Sequence, residues 1–323
     1  MTVFDMNAAA LADYHGSVTR PDDFDDFWSA TLLQARRFPS AASFRLHDAG
    51  LSLVDVHDVT FAGYDGHPIR GWLITPARPR GRLALVIRYV GYGGGRGFPH
   101  EHLIWPAAGR AYFVMDTRGQ GSGWATGDTP DPAGSDPAHP GFMTRGILSR
   151  ETYYYRRLIT DAVRAVDAML EHPLIDRQCI ALYGGSQGAG VALATAALHP
   201  AVRAVMADVP FLSDFPRAVR LAPKEPYQEI SRYLSIHRDK LATVFETLRY
   251  FDCVCFAPRV TAPVLMSVAN MDLVCPPSTV HAAYNMLASS DKTLLDYAFN
   301  DHEGGGPFQQ LAQLRWLAER FPA

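Results

Sequence analysis

The sequence predicts an α/β fold, a mostly parallel central sheet with helices on both faces. Short apolar runs rich in Val and Ile alternate with longer amphipathic ones, and clusters of Gly and Pro mark the boundaries between them. From residue 152 onward, strand and helix patterns follow each other at a spacing that requires crossover connections, and strands joined in this way are parallel and covered on both faces. The 323 residues are 48% hydrophobic and 20% charged, which supplies a large core and excludes a disordered chain.

Residues 1–50 form an N-terminal extension around one helix, opened by Pro21-Asp22-Asp23, with Phe24, Phe27, Trp28 and Leu32 on one face. Runs at 53–61 and 68–74 alternate as a half-exposed antiparallel hairpin does, and further strand-like runs stand at 83–90 and 111–115. A helix is expected at 152–170, a strand at 179–183, a helix at 187–198 and a strand at 202–207. Strands at 264–268 and 293–299 each precede a helix, at 279–287 and 308–321. Residues 210–260 interrupt the alternation with aromatic and Arg-rich helical pattern, including Tyr227, Tyr233, Phe245, Tyr250 and Phe251. A helical insertion of that size acts as a cap or an oligomer interface, so the chain reads as one domain, 1–323, with two attachments.

Thirty basic and 33 acidic side chains give a net charge of -3, and the adjacent basic pairs are Arg36-Arg37 and Arg156-Arg157. This is not the footprint of a nucleic-acid or anionic-membrane binder. Residues 1–19 lack Lys and Arg and no apolar run reaches the ~18 residues of a membrane span, so a cytoplasmic, soluble protein is expected. Cys179, Cys253, Cys255 and Cys275 match neither a disulfide framework nor zinc-site spacing and are expected as buried free thiols.

The chemistry enters at Gly184-Gly185-Ser186-Gln187-Gly188, a G-x-S-x-G sequence between a predicted strand and a predicted helix. That is the setting of a nucleophile elbow, where a serine held in a strained turn needs neighbours without side chains two positions away. A serine hydroxyl needs a base, and the elbow's chain order is serine, acid, histidine. Beyond Ser186, His199 ends the elbow helix, His237 lies in the insertion and His281 lies in a predicted helix. His302 directly follows a strand, on a loop ending Gly304-Gly305-Gly306, at the sheet edge where such folds place their sites. For the acid, Asp291 lies at the wrong edge, Asp296 inside a strand, Asp301 beside the histidine, and Asp214, Asp239 and Asp252 in the insertion. Asp208 and Asp272 remain. Asp272, after the strand at 264–268, is favoured, and Asp208 is expected as a turn or capping residue.

Negative charge on a carbonyl oxygen calls for fixed backbone donors, here the amide of Gln187 after the nucleophile and one from the loop Gly91-Tyr92-Gly93-Gly94-Gly95-Arg96-Gly97, with Tyr92 as candidate. That loop matches neither GxGxxG nor a P-loop, so nucleotide binding is not expected. Asp116-Thr117-Arg118-Gly119-Gln120-Gly121 is read as scaffold, with Arg118 paired to Glu303 or Asp116 and steadying the histidine loop. Tyr92 and Phe211 are expected to close the acyl side of the site.

Together these residues resemble carbohydrate esterase family 7, the acetyl xylan esterase and cephalosporin-C deacetylase family of α/β-hydrolases. Arg118-Gly119-Gln120, Gly184-Gly185-Ser186-Gln187-Gly188 and His302-Glu303 stand in the family's order, and the likeness extends over residues 24–27, 91–100, 113–123 and 272–279. The resemblance implies Ser186, Asp272 and His302 as triad, Tyr92 and Gln187 as oxyanion donors, and no cofactor or metal. It also implies deacetylation of short acetylated sugars and cephalosporin C, a cytoplasmic location, and a homo-oligomer, usually a hexamer of paired subunits. Ala189 stands where the family usually has glycine, and Cys255 where it has a polar residue. The competing readings are a general short-chain carboxylesterase or acyl-peptide hydrolase with the same triad and, from another class, a catalytically silent hydrolase-fold binding module.

Overall fold

The computed structural model describes residues 5–133 and 141–322. Among them nine strands form one sheet: β1 Ser43–His47, β2 Val54–Ala62, β3 Pro68–Pro76, β4 Leu83–Tyr89, β5 Ala111–Met115, β6 Ile175–Gly185, β7 Val202–Asp208, β8 Val264–Ala269 and β9 Lys292–Tyr297. The helices are α1 Ala8–Ala12, α2 Phe24–Ala35, α3 Ile104–Ala107, α4 Tyr154–Met169, α5 Gln187–Leu198, α6 Phe215–Leu221, α7 Tyr227–Ile236, α8 Leu241–Leu248, α9 Cys253–Phe256, α10 Pro277–Asn285 and α11 Gly306–Arg320. None is long and apolar enough to cross a membrane.

The sheet order is β1-β2-β3-β5-β4-β6-β7-β8-β9, antiparallel from β1 through β3 to β5 and parallel from β5 to β9. β5 and β8 are buried along their whole length, as strands covered on both faces must be, and β2 alternates because it is covered on one. The order reverses at β4, which has β5 on one side and β6 on the other, so the loop after β4 and the turn after β6 open into the same crevice.

Helix α5 is small and apolar all round, and ten of its residues are buried at the centre of the core. On the opposite face, Trp316, Leu317 and Phe321 from the C-terminal end cover Val86, Ala181 and Met206. The predicted face of α2 is buried, packing on Tyr250, Phe251 and Phe256 at the end of the insertion, and Trp28 Nε1 donates to Tyr250 O at 3.0 Å. The N-terminal extension is therefore anchored largely on the other attachment.

Two boundaries differ from the sequence reading. β1 lies inside the region read as a helical extension. Its residues are exposed or half-buried, with Leu46 outward, and it owes its conformation to the ladder with β2 rather than to an apolar pattern of its own. β6 starts at Ile175 rather than 179 because Asp176, Arg177 and Gln178 continue the strand on the solvent side, where polarity hides it.

Candidate active site

Each expected site residue sits at the carboxyl end of a parallel strand. Ser186, between β6 and α5, has φ 55° and ψ -121°, a conformation that side chains avoid and that the surrounding packing must enforce. The enforcement is visible at the two glycines. A Cβ on Gly184 would stand 2.2 Å from the Gly188 carbonyl carbon, and one on Gly188 would stand 2.0 Å from Tyr89 O. Hydrogen bonds fix the turn: Ser186 N donates to Asp208 O at 2.9 Å, and Phe211 N to Ser186 O at 3.1 Å.

Asp272 follows β8 and is fully buried. One carboxylate oxygen accepts from the Val274 and Cys275 amides at 2.7 and 2.9 Å, and the other accepts from His302 Nδ1 at 2.8 Å. These bonds leave the imidazole one orientation, with Nε2 available to a neighbour. His302 remains partly exposed, and its ring lines a cleft of about 600 Å³ together with Ser186, Tyr92, Trp124, Val209 and Pro226.

The amides of Tyr92 and Gln187 donate to no acceptor among the described residues. Their loops are tied together by Gln120. Its Oε1 accepts from Gly93 N at 2.7 Å, and its Nε2 donates to Gln187 Oε1 at 2.9 Å and to Tyr154 Oη at 3.0 Å. Gln187 Oε1 also accepts from Tyr155 Oη at 2.9 Å, and Gln187 Nε2 donates to Val90 O at 3.1 Å. Tyr92 is held from the insertion: its hydroxyl donates to Glu229 of α7 at 2.5 Å and accepts from Phe142 N at 2.6 Å.

Three expectations require correction. Arg118 pairs with neither Glu303 nor Asp116. It is fully buried and binds Asp161 of α4 through Nε and Nη2 at 2.5 and 2.7 Å, and Asp131 at 3.2 Å, because α4 brings a carboxylate up beneath the loop. Asp116 accepts from the backbone amides of Arg96, Thr117 and Asp128, while Glu303 accepts from Asn300 Nδ2. Arg118 thus braces the loop that carries Gln120, with Gly119 turning at φ 68° and donating to Thr129 O. Phe211 is buried against Tyr227, ring centroids 4.1 Å apart, and supports the elbow from behind rather than lining the cleft. Asp208 caps nothing: its carboxylate accepts from Gln309 and Gln313 of α11, both at 2.7 Å, and from Ser267 at 3.3 Å, while burial pushes its pKa up to about 6.

Sequence reasoning missed Asp161, Asp131 and Glu229, whose carboxylates carry no local motif. Asp161 gave no readable signal either, since Arg157 and Arg164 at i−4 and i+3 on the same helix make it read as an ordinary helical ion pair. Among the described residues, Asp272, Cys275 and His302 bring possible metal-ligand atoms within 4.8 Å of one another. Two of the three are already bonded to each other, and burial pushes the Cys275 thiol well up, away from the thiolate that binds metal. All four cysteines are free, three of them buried and Cys179 half-buried. Ala189 and Cys255 are both buried in the core and away from the cleft lining.

The acetyl xylan esterase (AXE1) family description matches residues 1–320. A curated acetyl esterase, Axe7A of Xylanibacter ruminicola, is 28% identical over 289 residues, which are 87% of this chain, and the chain spans 63% of that relative's length. An acetyl xylan esterase from Paenibacillus sp. R4 superposes with a TM-score of 0.92 at 37% identity, covering 97% of this chain and 99% of its own. Acetyl xylan esterase 1 from Thermoanaerobacterium sp. JW/SL YS485 gives 0.90 at 33%, covering 98% and 99%. An acylaminoacyl peptidase of Pyrococcus horikoshii, at 14% identity and a TM-score of 0.60, shares the α/β-hydrolase fold over 84% of this chain and 42% of its own. With a match that runs through the elbow, the acid and the histidine loop alike, the chain belongs to the acetyl xylan esterase family.

Proposed function

We propose that the chain is a serine esterase that removes acetyl groups from small acetylated substrates, acetylated xylo-oligosaccharides and cephalosporin C among them, with Ser186, His302 and Asp272 as its triad. The observation that carries this reading is the 2.8 Å bond between Asp272 and His302 on a loop that shares one cleft with the strained Ser186 elbow. In the forward step His302 Nε2 takes the Ser186 proton as Oγ adds to the acetyl carbonyl, and Asp272 stabilises the imidazolium through Nδ1–H. The oxyanion is held by the Tyr92 and Gln187 amides, which have no acceptor among the described residues. Collapse expels the alcohol, which takes the proton from His302, and leaves acetyl-Ser186. Water deprotonated by His302 then releases acetate.

The helical insertion is read as cap and subunit contact. Glu225 and Pro226 from it line the cleft, Lys224 reaches Asp301 on the histidine loop at 3.2 Å, and Ile236 and Leu241 are left exposed on its surface. A homo-oligomer, the hexamer of the family resemblance, would cover them. The esterase reading is tested by fluorophosphonate labelling, with a single adduct on Ser186, and by a kinetic panel of acetylated xylo-oligosaccharides, cephalosporin C and aryl esters. Ser186→Ala should lose the label and nearly all turnover without unfolding. An unlabelled but folded wild-type protein would make it a silent hydrolase fold, and a monomer by light scattering would remove the oligomer.

A further inference from the structure

The cleft floor carries one cation that the ester chemistry above does not use. Arg88, the last residue but one of β4, is half-buried and lines the cleft. Its register partner on β6 is Tyr183, whose ring centroid lies 6.0 Å from the guanidinium carbon, and the phenol of Tyr112 on β5 lies beside it. Among the described residues it forms no ion pair, Glu101 acting on it only from farther away. The acidic side chains that share the cleft are occupied elsewhere: Asp208 with Gln309, Gln313 and Ser267, Glu225 with Arg232, and Glu303 with Asn300. With no carboxylate at ion-pair distance among the described residues, a guanidinium partly withdrawn from water among phenols is left able to take a counter-anion from the cleft. Its planar fork matches a carboxylate in a bidentate pair.

Position favours the alcohol half of the cleft. Ser186 follows Tyr183 by three residues on β6, roughly 10 Å along the strand direction, and Arg88, Tyr183 and Ser186 line the same cleft. An acetyl group fills little of a cleft of about 600 Å³, which leaves room for a ring between serine and guanidinium. We propose that Arg88 forms an anion subsite for the leaving alcohol, so that the protein favours acetyl esters whose alcohol carries a carboxylate. The proposal rests on the esterase reading above and names the substrate class of the same site.

The test compares kcat/KM for 4-acetoxybenzoate and its neutral isostere 4-acetoxybenzamide, each normalised to p-nitrophenyl acetate turnover by the same preparation. In Arg88→Gln the anionic-over-neutral ratio should fall about 10- to 100-fold, mainly through KM, and in Arg88→Lys by less, since the charge stays and the fork is lost. Wild-type protein alone provides a second reading, because the ratio should fall as salt rises from about 20 to about 500 mM. A ratio unchanged by salt, or equal in wild type and Arg88→Gln, overturns the subsite while p-nitrophenyl acetate turnover upholds the esterase. Loss of p-nitrophenyl acetate turnover in the wild type overturns both.

Discussion

Gln120 provides the sharpest test of how the oxyanion loops are held. Its carboxamide joins Gly93 N, Gln187 Oε1 and Tyr154 Oη, and the residue itself is buried. Gln120→Leu keeps the approximate volume and removes these three bonds together with the longer one, 3.4 Å, that Gln187 Nε2 donates to Gln120 Oε1. Tyr154 Oη still donates to Arg118 O, and Gln187 Oε1 still accepts from Tyr155, so the Gly93 amide is the group left without an acceptor. One unsatisfied buried donor costs about 1–3 kcal/mol and two partly compensated losses about 0.5 each, a total of about 2–4 kcal/mol. In a chain of this length that lowers Tm by about 3–6 °C.

The effect on catalysis follows a separate route. Removing an oxyanion donor costs about 10²–10³ in kcat. Gln120 is not a donor to the oxyanion but fixes the neighbours of both donors, so a loss of about 10- to 100-fold in kcat is expected with KM changed less than about threefold. Steady-state hydrolysis of an aryl acetate and a thermal melt on the same sample measure the two effects. Tyr154→Phe, which removes the bonds to Gln120 and to Arg118 O and leaves the Gly93 bond intact, should stay within about threefold of wild type in kcat. A folded Gln120→Leu protein with wild-type kcat would refute the reasoning.

For the acid, Asp272→Asn should lower kcat by about 10⁴-fold by leaving His302 in the wrong tautomer, and an equal loss in Asp208→Asn would move the role to Asp208. Acetyl esters should be hydrolysed faster than butyryl or octanoyl esters, because Tyr92 is pinned by Glu229 and Phe142 N and cannot yield to added methylenes. A kcat/KM that rises toward the longer chains would favour the general carboxylesterase. Asp208 binds its proton more tightly folded, near pH 6, than unfolded, near 3.8, so its contribution to stability is complete below pH 4 and is lost as pH rises through 6. Relative to wild type, Asp208→Asn should therefore gain up to about 3 kcal/mol between pH 4 and pH 8, and a pH-independent difference in urea melts would contradict the assigned burial.

The parallel half of the sheet was legible because its signals are local. β7, β8 and the strand–turn–helix unit around Ser186 each carry an apolar run followed by turn residues, and the glycines at 184 and 188 are demanded by distances within that one turn. β1 was not legible, since an edge strand with exposed Leu46 is stabilised by its partner. Arg118 shows the same limit inside the site. Its motif marked it as scaffold, yet the choice of partner depended on how close α4 packs to the loop after β5, which no residue near Arg118 in sequence encodes.

This division between local and packed signals bears on what the insertion contributes. The proposed triad can be read from strand ends alone, because chain order and sheet direction place Ser186, Asp272 and His302 on one edge. The oxyanion side cannot, because the Tyr92 hydroxyl is fixed by Glu229, a residue of the insertion some 140 positions away in sequence. The same Glu229 accepts from Met143 N at 2.9 Å, so one buried carboxylate fastens α7 to both the loop after β4 and the segment before α4. An insertion that only shielded the cleft would touch its rim. This one reaches beneath the rim to hold the side chain of Tyr92, the proposed oxyanion donor, so a change in α7 packing should be felt as a loss of kcat before any change in access is felt as KM.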